Sequence, residues 1–190
     1  MHDMPPKRRN FGYTMMELVM VMAIVAILAS IAIPSFQYVT SSNRLSSEVN
    51  GLLGDMQFAR SEAVKEGQTV TICSSVDGAT CAASPDWQHG WIVFLDTNND
   101  QQVETGEAVI RIQPAFSGTD TFISGAVSGT ASLTSVSFNR LGYGPTGSTT
   151  TVNISLHDST NNSNWTRCLA VNPIGFAVTE RFGFGTPPCA

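Results

Sequence analysis

The chain of 190 residues has no second long apolar run, no CxxC pair and no internal repeat. One apolar spine near the N-terminus allows one membrane-crossing helix, and the remainder suffices for one head domain. Its four cysteines, Cys73, Cys81, Cys168 and Cys189, have no histidine nearby at metal-ligand spacing, which argues against a zinc site. His89 and His157 are isolated, and no serine or acid stands in a triad or nucleophile-elbow context, so the residues point to no enzyme and no cofactor. Positive charge is also scarce. The formal net charge is −5, and Lys7, Arg8, Arg9 and Asp3 all lie in the first twelve residues, so removing these takes it to −7. An acidic head does not suit a non-specific nucleic-acid binder, whose affinity comes largely from neutralised phosphates.

What is present begins with the run itself. Residues 18–33 contain one polar residue, Ser30, and Lys7, Arg8 and Arg9 precede them. The basic cluster keeps the N-terminal end cytoplasmic and sends the rest outward. Residues 13–33 form a helix of roughly 31 Å, about the thickness of the hydrocarbon core. Within that span Glu17 is out of place, since a carboxylate there costs about 2.5–3.5 kcal/mol on insertion scales. One account puts it at the interface, protonated or snorkelling. The other gives it a cation: cleavage after Gly12 creates an α-amino group on Tyr13, four residues away, which pairs with Glu17 of an adjacent subunit. Such a pair adds little net stability but fixes register.

The residues Gly12-Tyr13-Thr14-Met15-Met16-Glu17-Leu18, followed by Ala26-Ile27-Leu28-Ala29-Ser30-Ile31-Ala32-Ile33-Pro34-Ser35-Phe36, resemble the class III signal of type IV pilins and type II secretion pseudopilins. The resemblance implies cutting by a prepilin peptidase after Gly12 and N-methylation of Tyr13. The family usually has Phe at that position, so Tyr13 departs from the pattern but keeps an aromatic. Glu17 becomes the fifth mature residue, as the family requires. Two rival readings exist, a secretory signal cut after Ser30-Ile31-Ala32 and an uncut signal anchor. The first is opposed by Glu17 and by Pro34 just beyond the cut; the second leaves Gly12 and Glu17 unexplained.

The fold the resemblance implies is α+β, a long N-terminal helix packed on a small antiparallel β-rich head. The expected divisions are a leader over 1–12, a transmembrane and filament-core helix over 13–33, its amphipathic half over 34–67, and a periplasmic head over 68–190. Pro34 removes a backbone donor and predicts a kink. Beyond it Leu45, Val49, Leu52, Met56, Ala59 and Ala63 form the stripe of an amphipathic helix ending at Gly67. Gly51 and Gly54 interrupt that helix without an evident reason. Phe58-Ala59-Arg60-Ser61-Glu62-Ala63-Val64 resembles a segment shared by the FimT, FimU and GspH group. Strands are expected over 68–74, 90–96, 108–114, 132–140, 151–157, 166–171 and 176–181, punctuated by Gly, Pro, Asn and Ser. Residues 115–131 are undecided. The stretch 90–96 with Asn98-Asn99-Asp100 resembles a hairpin common in the same group.

The exported head and its even cysteine count favour two disulfides. Three pairings are open; the local one, Cys73–Cys81 with Cys168–Cys189, closes one loop each and ties down the C-terminal end. Asp96, Asn98, Asp100, Glu104 and Glu107 match spacings of a calcium loop, but its glycine position is Gln101 and its flanks read as strands. Hence no metal is expected, with Asp96, Asn98, Asp100 and Glu107 the lesser calcium candidate. Cys168-Leu169-Ala170-Val171-Asn172-Pro173-Ile174-Gly175 resembles the end of FimU- and FimT-like minor pilins. Where DNA-binding FimT proteins carry Gly-Arg-x-Arg, this chain has Phe176 and Val178, so nucleic acid is not an expected partner. Phe176, Phe182 and Phe184 are read as core or subunit contact.

The resemblance then implies a structural role: a FimU/FimT-like minor pilin priming type IV pilus assembly at the tip. The alternatives are a GspH-like minor pseudopilin of a type II secretion system and a DNA-binding minor pilin for natural transformation. Implied partners are other minor and major pilins, the prepilin peptidase, the inner-membrane assembly platform and the membrane. The implied location is the bacterial inner membrane in a single pass, N-terminus cytoplasmic and head periplasmic, and then the filament.

Overall fold

The computed structural model describes residues 12–124, 133–144, 151–185 and Cys189. Of the expected leader, only Gly12 falls among these. The chain divides into two compact units, one up to Thr40 and one from Ser41. A helix, α1 (Met15–Glu66, 52 residues), contributes to both.

In the first unit, Thr14 starts the helix: its Oγ1 accepts from the Glu17 backbone N–H at 3.2 Å, satisfying one of the donors a helix start leaves open. Leu, Met and Ala carry the helix onward, and two of the hydroxyls on it turn back to the backbone. Ser30 donates to the Ile27 carbonyl at 2.7 Å and Thr40 to that of Phe36 at 2.8 Å, so neither presents a free donor. Pro34 lies within the helix and does not end it. Every large apolar side chain from Tyr13 to Val39 is at least half exposed. The most apolar 18-residue window has a mean hydropathy of 2.6, and none of it is buried.

In the second unit the stripe Leu45, Val49, Leu52, Met56, Ala59 and Ala63 is at most 1% exposed. Burial therefore begins at Leu45, eleven residues after the 33/34 boundary expected for the amphipathic half. Gly67, at φ +68, ends the helix by donating to the Ala63 carbonyl at 3.1 Å, a conformation that costs glycine little. Gly51 and Gly54 lie on the exposed side, where a Cβ would meet nothing within 4 Å.

Eight strands among the described residues form two four-stranded antiparallel sheets. The first has the order β3 (Val109–Pro114), β2 (Gly90–Leu95), β1 (Val70–Ser74), β5 (Ser135–Phe138). The second runs β4 (Thr121–Ser124), β6 (Val152–His157), β7 (Arg167–Val171), β8 (Ala177–Arg181). Strand β4 lies in the stretch the sequence left undecided. Inward residues of both sheets alternate along the strands: Val70, Ile72, Trp91, Val93, Val136 and Phe138 from one, Phe122, Ile154, Leu156, Leu169 and Val171 from the other. They join the α1 stripe in one cluster. Buried apolar surface contributes roughly 25 cal/mol per Å², so this three-way seam is the main source of stability.

On the outer face of the first sheet a smaller cluster gathers Cys73, Ile92 and Phe94 beneath Cys81, Val103 and Val109. Cys73 is bonded to Cys81 and Cys168 to Cys189, with S–S distances of 2.04 and 1.99 Å. Phe176, Phe182 and Phe184 are not core: they are 55%, 47% and 69% exposed. The reason is position. Phe176 precedes β8 and Phe182 and Phe184 follow it, and β8 is the last strand in the order of its sheet.

Candidate functional site

In the first unit the helix start sets the geometry of the expected processing and assembly residues. A Cβ at Gly12 would meet nothing within 4 Å among the described residues. Tyr13 is 84% exposed. Glu17 sits in the first helical turn, where the helix dipole favours a negative charge. Thr14-x-x-Glu17 has the spacing of a capping box, and the threonine half of that box is formed. Glu17 therefore has a local role at the helix N-terminus that an account built on its membrane depth alone omits, and the sequence carried the signal.

In the second unit Asp55, Phe58 and Arg60 are among the side chains of α1 that bind the helix to the strands and turns around it. Asp55, 9% exposed, accepts from the buried Trp91 indole N–H at 2.8 Å and from Arg111 Nη1 at 2.7 Å. Arg111 in turn lies over the Phe58 ring, 4.5 Å from its centroid. Arg60 Nε donates to the Gly142 carbonyl at 2.8 Å, while its guanidinium lies 4.8 Å from the Phe176 ring. Gly175, at φ +80, closes this contact, since a Cβ there would come within 2.2 Å of the Gly142 oxygen. Phe58-Ala59-Arg60 is thus a docking seam: Ala59 enters the core while Phe58 and Arg60 grip the flanking strands and turns. Asp55 and its two partners were not foreseen; an acid one turn from a core leucine was the only hint.

The calcium candidates are used by their own loop. Asp96 is fully buried, and its carboxylate accepts from Thr71 Oγ1 at 2.6 Å and from the backbone N–H groups of Asp100 and Gln101, both at 3.1 Å. Asn98 donates to Asp100 and Glu104, and Glu107 accepts from Thr97 and from the Glu104 backbone. Gln101 adopts φ +65, the conformation a calcium loop reserves for glycine at that place. Among the described residues no group of three or more His, Cys, Asp or Glu is placed to hold a metal. At the positions of the DNA-binding motif, Phe176 and Val178 are both at least half exposed, and apolar surface offers a phosphate no donor.

Outside this group of charges, the tip of the 75–80 loop holds Asp77, whose carboxyl accepts from the backbone of Ala79 and Thr80 and from the Thr80 hydroxyl. These bonds hold it well below the usual carboxylate range. Its role is to shape the loop that Cys73–Cys81 closes.

Comparison with known proteins gives these two regions a common context. The family model described as "Type II transport protein GspH" matches residues 48–175, and that described as "Prokaryotic N-terminal methylation motif" matches residues 7–33. No curated protein matches the chain. The type IV minor pilin FimU of Pseudomonas aeruginosa, solved in two crystal forms, is similar at 20% identity in each. One form has a TM-score of 0.53 and covers 73% of this chain and 89% of that chain; the other has 0.51, with 71% and 91%. The minor pseudopilin EpsH from the Type 2 Secretion System of Vibrio cholerae is similar at TM-score 0.47 and 9% identity, covering 72% of this chain and 95% of that chain. With the helix docking seam and most of the strands inside the matched segment, and the Gly12–Glu17 start inside the methylation motif, the chain belongs to the GspH family, in the GspH/FimU group of type IV pilin-like proteins.

Proposed function

We propose that this chain is a FimU/FimT-like minor pilin, a structural subunit that takes part in priming a type IV pilus at its tip. The observation that carries the reading is the first unit of α1. Seventeen large apolar side chains from Tyr13 to Val39 are at least half exposed along a helix that starts with Thr14 and Glu17. Such a surface is stable against lipid and then against neighbouring helices, not against water. Prepilin peptidase cuts after Gly12 and methylates Tyr13, the helix spans the inner membrane with the head outside, and the Tyr13 amine docks on the Glu17 of a neighbour. The two disulfides and the segment from Cys168 to Gly175 support the pilus over the secretion machine.

Glu17→Ala tests the docking step. Cleavage, read by the mass of the mature N-terminus, and membrane insertion stay at normal levels, while incorporation into filaments falls sharply. Normal piliation in that variant sinks the docking role. The match to the GspH family model favours a second reading, a minor pseudopilin of a type II secretion system. Deleting the gene separates the two: loss of pili with secretion intact supports the first, and loss of secretion with pili intact supports the second.

A further inference from the structure

Arg44 and Glu48 are four residues apart on α1, so their side chains share one side of the helix. Facing them is Asp120, the residue before β4, which is 3% exposed. Its Oδ1 accepts from Arg44 Nη2 at 2.7 Å. Its Oδ2 is buried with no hydrogen-bond partner among the described residues, and so is Oε2 of Glu48. Asp120 is thus bonded to the guanidinium, Glu48 lies within the field of both, and each carboxylate keeps an orphaned buried oxygen. Fully ionised, the group would hold one negative charge more than Arg44 offsets, with Asp120 buried and Glu48 half-buried, and each orphaned acceptor would cost about 1–3 kcal/mol. A single proton removes the excess charge and turns one of the acceptors into a donor.

We propose that Glu48 and Asp120 together form a proton-binding site, with Arg44 as its fixed counter-charge, that clasps the segment preceding β4 to α1. Metal is a poor occupant, because Arg44 already holds the cation's place and no third ligand of the His, Cys, Asp or Glu type joins the pair among the described residues. Burial pushes the Glu48 carboxyl up to about 7, the Asp120 charge pushes the same way, and Arg44 opposes both. The other charged or titratable groups on the elements packed here are His157 on β6, paired in register with Thr121, Arg167 on β7, whose Nη2 donates to Ser42 Oγ at 3.2 Å, and Glu180 and Arg181 on β8, which line a pocket with Ser46 and Asn50 of α1. Burial raises the Glu180 carboxyl too, so the resonance is assigned to Glu48 by its loss in Glu48→Gln. Because the folded Glu48 holds its proton to higher pH than the unfolded one, its stabilising effect is complete below about 4.5 and is lost as pH rises through about 7.

The test uses the mature chain in detergent micelles, with the δ-carbon of glutamate labelled for carbon NMR and unfolding followed by tryptophan fluorescence. One glutamate carboxyl titrates near neutrality and its midpoint falls in Asp120→Asn. The folding constant drops roughly tenfold between pH 5.5 and 8, a figure that allows for the partial exposure of Glu48. Glu48→Gln removes both the resonance and that drop. If every glutamate titrates in the ordinary carboxylate range, the proposal is overturned, as it is if Glu48→Gln keeps the same pH dependence. Should Glu48→Gln fail to fold, the wild-type and Asp120→Asn titrations decide alone: an unmoved midpoint overturns the site and a lowered one supports it.

Discussion

The two units share one helix and use it in opposite ways. Up to Thr40 apolar residues cover the whole circumference, and none of the large ones is less than half exposed. From Leu45 to Ala63 they retreat to a stripe that is at most 1% exposed, flanked by the partly buried Leu53 and Phe58, with polar residues and two glycines on the other side. A helix apolar all round is matched to a non-aqueous surrounding, and a striped one to a core on one side and water on the other. The difference teaches that the helix is continuous in backbone but not in solvent. Its first part is an element awaiting a surrounding that the chain does not itself provide.

The contrast can be broken most decisively by truncating one leucine in each part. Leu52→Ala, at a fully buried position, lowers head stability by about 2–5 kcal/mol, whereas Leu28→Ala, 61% exposed, changes it by less than about 0.5 kcal/mol. Denaturant titration of tryptophan fluorescence checks both, and equal losses would erase the distinction. Next in size are the covalent ties found only in the second unit. Replacing Cys168 and Cys189 by serine removes a loop of 21 residues and costs about 3 kcal/mol; the same change at Cys73 and Cys81, separated by 8, costs about 2.5 kcal/mol. Thermal unfolding with and without reductant gives the ranking.

A smaller effect is expected at Asp55. Asp55→Ala leaves the buried Trp91 N–H without its acceptor and Arg111 without its partner, at a cost of about 1–3 kcal/mol. Asp55→Asn keeps an acceptor for the indole and recovers part of that loss, as equilibrium unfolding will show. The smallest change runs the other way. Gly51→Ala and Gly54→Ala each stabilise by about 0.5–1 kcal/mol, because the added Cβ meets nothing and the unfolded chain loses freedom. A variant that gains stability yet assembles poorly would show that this glycine-bearing face lies close to a neighbour in the filament.

Much of this arrangement was legible where periodicity is strong. The α1 stripe reads directly as a pattern of fours and threes, and Gly67 marks its end. Seven expected strand segments overlap seven observed strands, because runs such as Trp91-Ile92-Val93-Phe94 are bounded by turn residues. Strand β4 escaped because its four residues carry no alternation of their own and are fixed by pairing with β6. The split into two sheets was not visible, since β5 returns to the far edge of β1 while β4 crosses to the other sheet. Long-range partners were also hidden. Neither Asp96 nor Asp120 announces that it will be buried, because an acid in a turn looks the same whether water or a hydroxyl receives it. Of the two readings of Phe182 and Phe184, core or subunit contact, their exposure excludes the first and leaves the second.

Among the described residues strand β8 is paired on one side only, and an unpaired edge is the sort of surface that recruits other strands or escapes to join them. Its neighbour β7 carries Cys168, and the bond to Cys189 beyond β8 makes this strand part of a closed ring. A ringed strand cannot be lent to another head without first breaking sulfur from sulfur. Oxidation is therefore expected to lock the strand against exchange between copies, and a reducing medium to release swapped dimers that an oxidising one forbids.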